Sequence, residues 1–394
     1  MNVLSLSTVF PRPDLPRQGL FVARRLQHLA ARLPVEVIAP VPLVDLSSGR
    51  VSFPTRRTPP CRREGRLRVH HPPWWHPPGL GRWNAVLLAR AVEPAATRLR
   101  LEFPFDLIDA HFAWPEGVAA SELARHFACP YTVTLRGCEL VHGKVPSRRR
   151  EMEQALRRAA AVIAVSRELL EFALELGAVP DRSFLVPNGV DASIFHPQPR
   201  ELIRARLSMQ PHRHHLVSAG HLIPGKGHHR LAALLPELAR RGLDVELWIL
   251  GDPGAGTDQR PHLHALRREL GLEDRVHVLP SVPPEILAQY MSAADLVCLA
   301  SEREGWPNVV HEALACGTPV VATRVGAVPD LVCSPDFGRV VPPGDDRALA
   351  EAIIEALRTP FDRERIARHG ASRSWDAVAE EIAGIFEKIL AETP

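Results

Sequence analysis

The sequence predicts an α/β protein built from two Rossmann-like domains, and three observations carry that expectation. The chain has 394 residues, beyond the size at which one hydrophobic core usually stops growing. Short apolar runs alternate with amphipathic stretches in both halves, as strands and helices do in a parallel sheet covered on both faces. Between the two series, from about Val186 to Arg200, the segment PNGVDASIFHPQP lapses into turn residues and marks a connection. The expected division is 1–190 and 191–370 for the two domains, with a helix in 371–394.

Along the first half, NVLSLST reads as a strand, and the loop PRPDLPRQ leads to GLFVARRLQHLAARL, whose apolar residues recur at helical spacing. Gly19 opens that helix, where a residue without a side chain lets backbone N–H groups approach a phosphate closely; helix punctuation explains it equally well. VEVIAPV is the next strand. Residues 53 to 83, including HHPPWWHPPGLGRW, then interrupt the alternation with Pro and Arg. Trp74 and Trp75 there suit an acceptor groove or a membrane interface, although packing under a Pro-rich loop is the plainer account. DLIDAHF, YTVTLRG and AVIAVS read as strands, with PEGVAASELARHF and RELLEFALELG as helices. His111 stands at the end of the first of these strands.

The second series runs HLVSAGH, VELWILG, RVHVLP, DLVCLA and PVVAT, and SWDAVAEEIAGIFEKIL closes the chain as an amphipathic helix. Lys226, in SAGHLIPGKGHHR, follows a strand and precedes a helix. It is one of only three lysines against 45 arginines, so a Lys between two glycines is not routine surface charge. The segment from Ser301 to Asp330, SEREGWPNVVHEALACGTPVVATRVGAVPD, reads as loop, helix and strand following LVCLA, with Pro307-Asn308 as turn and N-cap. That is a βαβ unit. A right-handed crossover opens its loop at the carboxyl end of the sheet, where α/β folds bind ligands. Amides around Asn308 to Val310 lack intrahelical acceptors and suit a phosphate or a sugar rim. Glu304 in the loop and Glu312 about one turn into the helix reach a common ligand, and a carboxylate fork matches the vicinal diol of a ribose. Alone, these glutamates are equally read as solvated charges at a helix N-terminus.

Composition narrows the classes. With 45% hydrophobic and 24% charged residues, the chain is an ordinary globular one. No apolar run is long enough to cross a bilayer, and MNVLSLSTVFPRPD lacks the basic start and cleavage site of a signal peptide. A cytoplasmic protein is expected. The six cysteines form no C-x-x-C pair and the 19 histidines show no H-E-x-x-H spacing, so neither disulfides nor a metal site is expected. Residues 1–196 hold 26 basic against 18 acidic side chains, and residues 197–394 hold 22 against 27. The basic half, with clusters at Arg56-Arg57, Arg62-Arg63 and Arg148-Arg149-Arg150, suits anionic membrane headgroups or a phosphorylated lipid acceptor; a solvated Arg-rich face fits too. No nucleic-acid recognition pattern accompanies it.

Taken together, the segment from Ser301 to Asp330 resembles the signature of retaining nucleotide-sugar glycosyltransferases of the GT-B fold, family four: an acidic residue, seven others, a second Glu, then Gly-x-Pro-Val-Val-Ala. The resemblance implies two Rossmann-like domains across a cleft, with the last helix crossing back to the first domain. It implies transfer of a sugar from a nucleoside diphosphate to a hydroxyl of a glycan or lipid-linked acceptor, without metal or cofactor, in surface polysaccharide synthesis. Glu312 is expected on the ribose, Glu304 and the amides of Asn308 and Val309 on the transferred sugar, and Lys226 on the departing diphosphate. Gly19 and His221 complete the donor contacts. Where the family commonly carries Arg, this chain has His221; either the imidazole donates a weaker bond or Arg303 or Arg324 substitutes. His111 is expected against the sugar, with its backbone oxygen beside the reacting carbon and with Asp109 and Pro115-Glu116-Gly117 matching around it; a satisfied core histidine is the alternative. In TLRGCEL, Thr134, Arg136, Gly137 and Glu139 resemble a strand-end segment usually ending in Asp, with Arg136 and Glu139 on the acceptor side. The turn Gly251-Asp252-Pro253-Gly254 and SVPPEIL resemble the base-binding edge. A GT-B nucleotide-sugar 2-epimerase and a degenerate nucleotide-binding subunit are the alternatives. No G-x-G-x-x-G follows Gly19, which counts against a dinucleotide oxidoreductase.

Overall fold

In the computed structural model, residues 1–45, 51–76, 81–254 and 257–392 are described; Pro77 to Leu80 of the Pro-rich run lie outside them. The chain divides into two compact units, Met1–Gly189 with Trp375–Pro394, and Val190–Ser374.

The first unit carries strands β1 (Val3–Leu6), β2 (Val35–Ile38), β3 (Val41–Pro42), β4 (Cys61–Glu64), β5 (Leu67–His70), β6 (Pro73–Trp74), β7 (Leu107–His111), β8 (Tyr131–Leu135), β9 (Ala161–Ala164) and β10 (Ser183–Leu185). Eight of them form a sheet in the order β10-β9-β8-β7-β1-β2-β5-β4, while β3 and β6 pair separately. All neighbours in the large sheet are parallel except β4 against β5. β1, β7, β8 and β9 are buried along their whole length, as strands covered on both faces must be. The order reverses between β1 and β7, and such a switch point leaves a crevice at the carboxyl ends of the strands.

The expected interruption at residues 53 to 83 contains two strands of this sheet. In β5, Leu67 and Val69 are fully buried, while Arg68 reaches Glu36 on β2 at 2.9 Å. The strand alternates apolar with basic, so its composition hid its period. Helix Asn84–Glu102 and helix Pro146–Arg158 were likewise not anticipated. The second places Arg148 to Arg150 near its start and buries Met152, Ala155 and Leu156. Trp74 is 6% exposed and stacks on His76 at 4.7 Å, whereas Trp75 is 55% exposed.

Helix Trp375–Glu392 lies against helix Leu20–Leu29 within this unit. Val22, Leu26 and Leu29 share one buried cluster with Val378, Ile382 and Phe386. Each such side chain contributes about 1.5–3 kcal/mol on leaving water, which fixes the last helix to the first unit.

The second unit holds β11 (His214–Ala219), β12 (Val245–Leu250), β13 (Val276–Leu279), β14 (Leu296–Leu299), β15 (Val320–Thr323) and β16 (Gly338–Val341). They form a wholly parallel sheet in the order β13-β12-β11-β14-β15-β16. Its switch point falls between β11 and β14, so the segments after Ala219 and after Leu299 flank the same crevice.

Candidate functional site

At the switch point of the second unit, the chain after β11 makes a short turn, Pro224–Lys226, and enters helix His228–Arg240 through Gly227. Gly227 has φ +69, and a Cβ there would fall 2.2 Å from the Ala300 carbonyl oxygen. Only glycine permits that approach. Glu302 N–H donates to the Gly225 carbonyl at 2.9 Å, so the turn is tied to the end of β14. The result is a contact that the sequence did not disclose: Lys226 Nζ lies 2.6 Å from Glu304 Oε1. Ser301 Oγ donates to the same oxygen at 2.8 Å, and Ser301 is itself held by Thr323, whose hydroxyl donates to its carbonyl at 2.6 Å. Gly326 closes the loop from the far side; with φ +50, a Cβ on it would meet the Glu304 carbonyl oxygen at 2.4 Å. Glu304 is therefore fixed at both its backbone and its carboxylate, with the ammonium of Lys226 held beside it.

Helix Asn308–Ala315 begins after this loop. Pro307, rather than Asn308, occupies the N-cap: the amides of Val310 and His311 donate to the Pro307 carbonyl, and Asn308 is the first helical residue. A proline with no N–H to satisfy, and with its φ fixed near the helical value, suits the entry. Val309 and Glu312 are half-buried. His311 is turned inward, 3% exposed, its Nε2 2.9 Å from the Gly370 carbonyl.

Burial, followed by the charge of Lys226, pushes the His221 imidazole below its ordinary range. A lowered imidazole is a weaker cation for this loop than an arginine. Arg303 and Arg324 are both exposed. The two softer segments meet: the Ser281 amide donates to Asp252 Oδ1 at 3.2 Å, and its hydroxyl bonds the same carboxylate.

In the first unit the expected residues lie in a buried polar network. His111 is wholly enclosed, with Nε2 3.2 Å from Asp109 Oδ2 and Nδ1 2.8 Å from Arg136 Nη2. Burial pushes its imidazole down to about 3. Its side chain is thus a neutral internal link, not an exposed group on a wall. Arg25, on helix Leu20–Leu29, reaches Asp109 at 3.4 Å and donates to Thr134 Oγ1 at 2.8 Å. Burial alone would raise the Asp109 carboxyl; Arg25 and the hydrogen bond from Thr132 overcome it and hold the carboxyl below the usual range. Arg136 also donates to Asn188 Oδ1 at 3.3 Å.

Glu139, expected on the acceptor, is fully buried. Its Oε1 accepts from the Ala113 amide at 3.1 Å, and its Oε2 from Arg136 and Gly137 amides at 3.1 and 2.7 Å. Both oxygens tie two strand-end loops together, which corrects a direct acceptor contact to a supporting role. Gly19 has φ +70, and a Cβ on it would stand 2.3 Å from the Val9 carbonyl oxygen, so its own loop already demands glycine. Arg25 escaped the sequence reading because its partners, Asp109 and Thr134, stand 84 and 109 residues along the chain. Among the described residues no cluster of His, Cys, Asp and Glu forms a metal site, and no helix is long and apolar enough to cross a membrane.

Comparison with known proteins agrees with this architecture. The family model for glycosyl transferases group 1 matches residues 199–373, and that for glycosyltransferase family 4 matches residues 18–194. The glycosyltransferase TuaC of Bacillus subtilis (strain 168), whose name places it in teichuronic acid biosynthesis, is 30% identical over 383 residues, 93% of this chain and 90% of TuaC. A D-inositol 3-phosphate glycosyltransferase of Acidothermus cellulolyticus is 31% identical over 73% of this chain and 68% of its own. Among solved structures, sucrose-phosphate synthase from Thermosynechococcus elongatus superposes with a TM-score of 0.80 at 21% identity, covering both chains fully. HepE from Anabaena in complex with UDP gives 0.74 at 22% identity over 98% of this chain and 100% of HepE. The chain has the GT-B fold and belongs to the glycosyl transferases group 1 family.

Proposed function

We propose that this chain is a retaining, metal-independent glycosyltransferase that moves a sugar from a nucleoside diphosphate to a hydroxyl of a glycan or lipid-linked acceptor. The observation that carries the reading is the Lys226–Glu304 pair at the switch point of the second unit. An ammonium has three donors; Glu304 and one phosphate oxygen use two of them. Lys226 then neutralises the leaving diphosphate as the sugar–oxygen bond breaks, and the leaving phosphate takes the acceptor proton on the same face of the sugar. Stabilising charge that develops only in the transition state is what accelerates the step. Glu304 stays fixed beside the sugar, Glu312 holds the ribose diol, and the helix start at Asn308 and Val309 faces the polar rim of the donor. His111, Arg136 and Glu139 act from within the first unit by holding its strand-end loops in place, Glu139 through backbone amides. No cofactor is needed.

Solved complexes of HepE contain UDP, UDP with glucose, and UDP-glucose, which makes UDP-glucose a rational first donor. Incubation with a panel of labelled sugar nucleotides, with and without cell lipid extract, is expected to give sugar transfer into an acceptor. Interconversion of the donor would instead identify an epimerase, and binding without turnover a degenerate subunit. The 30% identity to TuaC, whose name places it in teichuronic acid biosynthesis, supports a place in surface polysaccharide synthesis.

Peripheral attachment has its own support in the first unit. Trp75 and Trp83 are 55% and 48% exposed, and Arg56 stands 4.8 Å over the exposed Phe53 ring. Aromatic residues beside arginines suit an anionic headgroup layer. Tryptophan emission is expected to shift to the blue with phosphatidylglycerol vesicles and not with phosphatidylcholine vesicles. No shift at low salt rejects the attachment.

A further inference from the structure

Arg148 is a half-buried cation of the first unit that the steps above leave unused. Its guanidinium lies over the indole of Trp114, Cζ 4.3 Å from the ring centroid, and its Nη1 donates to His142 Nδ1 at 3.0 Å. Both supports are themselves fixed. Trp114 is 5% exposed and its Nε1 donates to Glu151 Oε2 at 2.8 Å, while the His142 ring stands 4.7 Å from the Trp114 ring. Burial, followed by the charge of Arg148, lowers the His142 imidazole to about 4. A neutral ring whose Nδ1 accepts carries its proton on Nε2, which adds a donor beside the guanidinium. Trp114 follows β7 and helix Glu139–His142 follows β8. The cluster therefore stands at the carboxyl ends of two adjacent parallel strands, the end at which α/β folds bind ligands.

The fold does not balance this cation. Among the described residues Arg148 has no carboxylate partner: Glu151 accepts from Trp114, Arg149 takes Glu153 at 3.3 Å, and Asp45 lies 3.6 Å from Arg12. No acidic residue stands in the first turn of helix Pro146–Arg158, where the helix dipole disfavours a positive charge. An apolar side chain at 148 would cover Trp114 without that cost. A guanidinium has five donors in a rigid fork, and His142 engages one of them. On the Nη2 edge a Cβ at Gly81 would come within 2.8 Å, so the missing side chain there leaves the edge room. A planar fork held on an aromatic face, with an edge unused, matches two oxygens of a phosphate.

We propose that Arg148, seated on Trp114 and His142, is a subsite of the first unit for a phosphate carried by the acceptor. That the phosphate belongs to the acceptor rests on the transferase reading above; the binding itself does not.

Calorimetric titration with glucose 6-phosphate tests a soluble bearer, and sedimentation with phosphatidylcholine vesicles containing phosphatidic acid tests a lipid one. In the arm that carries the phosphate, Arg148→Gln is expected to weaken binding by about 10–100-fold, the scale of hydrogen bonds to a charged group. Arg148→Lys should remain about threefold weaker than the wild type or worse, because an ammonium lacks the fork. Lys226→Ala, altered in the second unit, should leave the Arg148-dependent binding in place. With labelled UDP-glucose and cell lipid extract, Arg148→Gln should raise the extract concentration needed for half-maximal transfer by the same factor and change kcat by less than about threefold, the mark of a contact equal in ground and transition states. A folded Arg148→Gln that binds both probes as the wild type does overturns the proposal. So does an Arg148→Lys as tight as the wild type, or phosphate binding lost in Lys226→Ala and kept in Arg148→Gln. If Arg148-dependent phosphate binding is found but no sugar moves, the transferase reading fails and the phosphate site stands.

Discussion

Lys226→Ala is expected to lower sugar transfer by about 10²–10³-fold, the cost typical of removing one group that stabilises developing charge. Two features make the loss large. Burial and the charge of Lys226 lower the His221 imidazole below its ordinary range, so it is a weaker cation than an arginine, and Arg303 and Arg324 are solvent-exposed side chains. Loss of the ammonium also leaves Glu304, with only 9% of its side chain exposed, as a less compensated anion. Nucleotide affinity should change by less than about tenfold, because a transition-state contact weighs more on kcat than on ground-state binding. Steady-state kinetics with UDP-glucose, paired with calorimetric titration of UDP, separate the two effects. Lys226→Ala with full activity would sink the assigned mechanism. Lys226→Arg is not expected to rescue fully, since a planar guanidinium cannot reproduce a compact point charge seated 2.6 Å from Glu304.

Asp109→Ala should destabilise the first unit by about 3–5 kcal/mol, the cost of breaking a buried ion pair by removing one partner. Arg25 has 3% of its side chain exposed and Asp109 none, so the guanidinium keeps only Thr134 as a partner in a dry site. His111 loses its Asp109 neighbour at the same time. In a unit of this size that corresponds to a fall in melting temperature of roughly 10 °C. The pH dependence has a definite sign. The Asp109 carboxyl titrates below its ordinary value, so the stability it supplies is complete above the unfolded-state pKa and disappears as pH falls through the folded-state value. The gap between wild type and Asp109→Ala should narrow in acid. Thermal melts at pH 7 and in acid check this, and an equal gap at both would reject the ion-pair account.

Most of the strands and helices were legible because each is a local pattern. LVCLA and PVVAT announce strands by composition, and Gly227 and Gly317 punctuate helices whatever lies around them. β5 was not legible, because its Arg68 and His70 both meet Glu36 on another strand and look like a polar loop when read alone. The candidate site divides in the same way. Lys226, Glu304 and Glu312 stood out by type and spacing, but the contact between the first two joins positions 78 residues apart, and nothing in either local segment encodes it. Arg25 and Asp109 are 84 apart. Glu139 was identified by motif and given an outward role, because a motif names a residue without saying which way its carboxylate points.

The last helix has a consequence for the birth of the molecule. The first unit is written in two pieces, Met1–Gly189 and Trp375–Pro394, with the whole second unit between them. A ribosome delivers these in order, so helix Leu20–Leu29 meets Val35, Val37 and Leu67 of its own sheet early and lacks the cover of Val378, Ile382 and Phe386 until the last helix arrives. During that interval the core of the first unit is one helix short of its final cover. The second unit, continuous from Val190 to Ser374, has no such wait and can close first, reversing the usual order in which the earlier-made domain folds before the later.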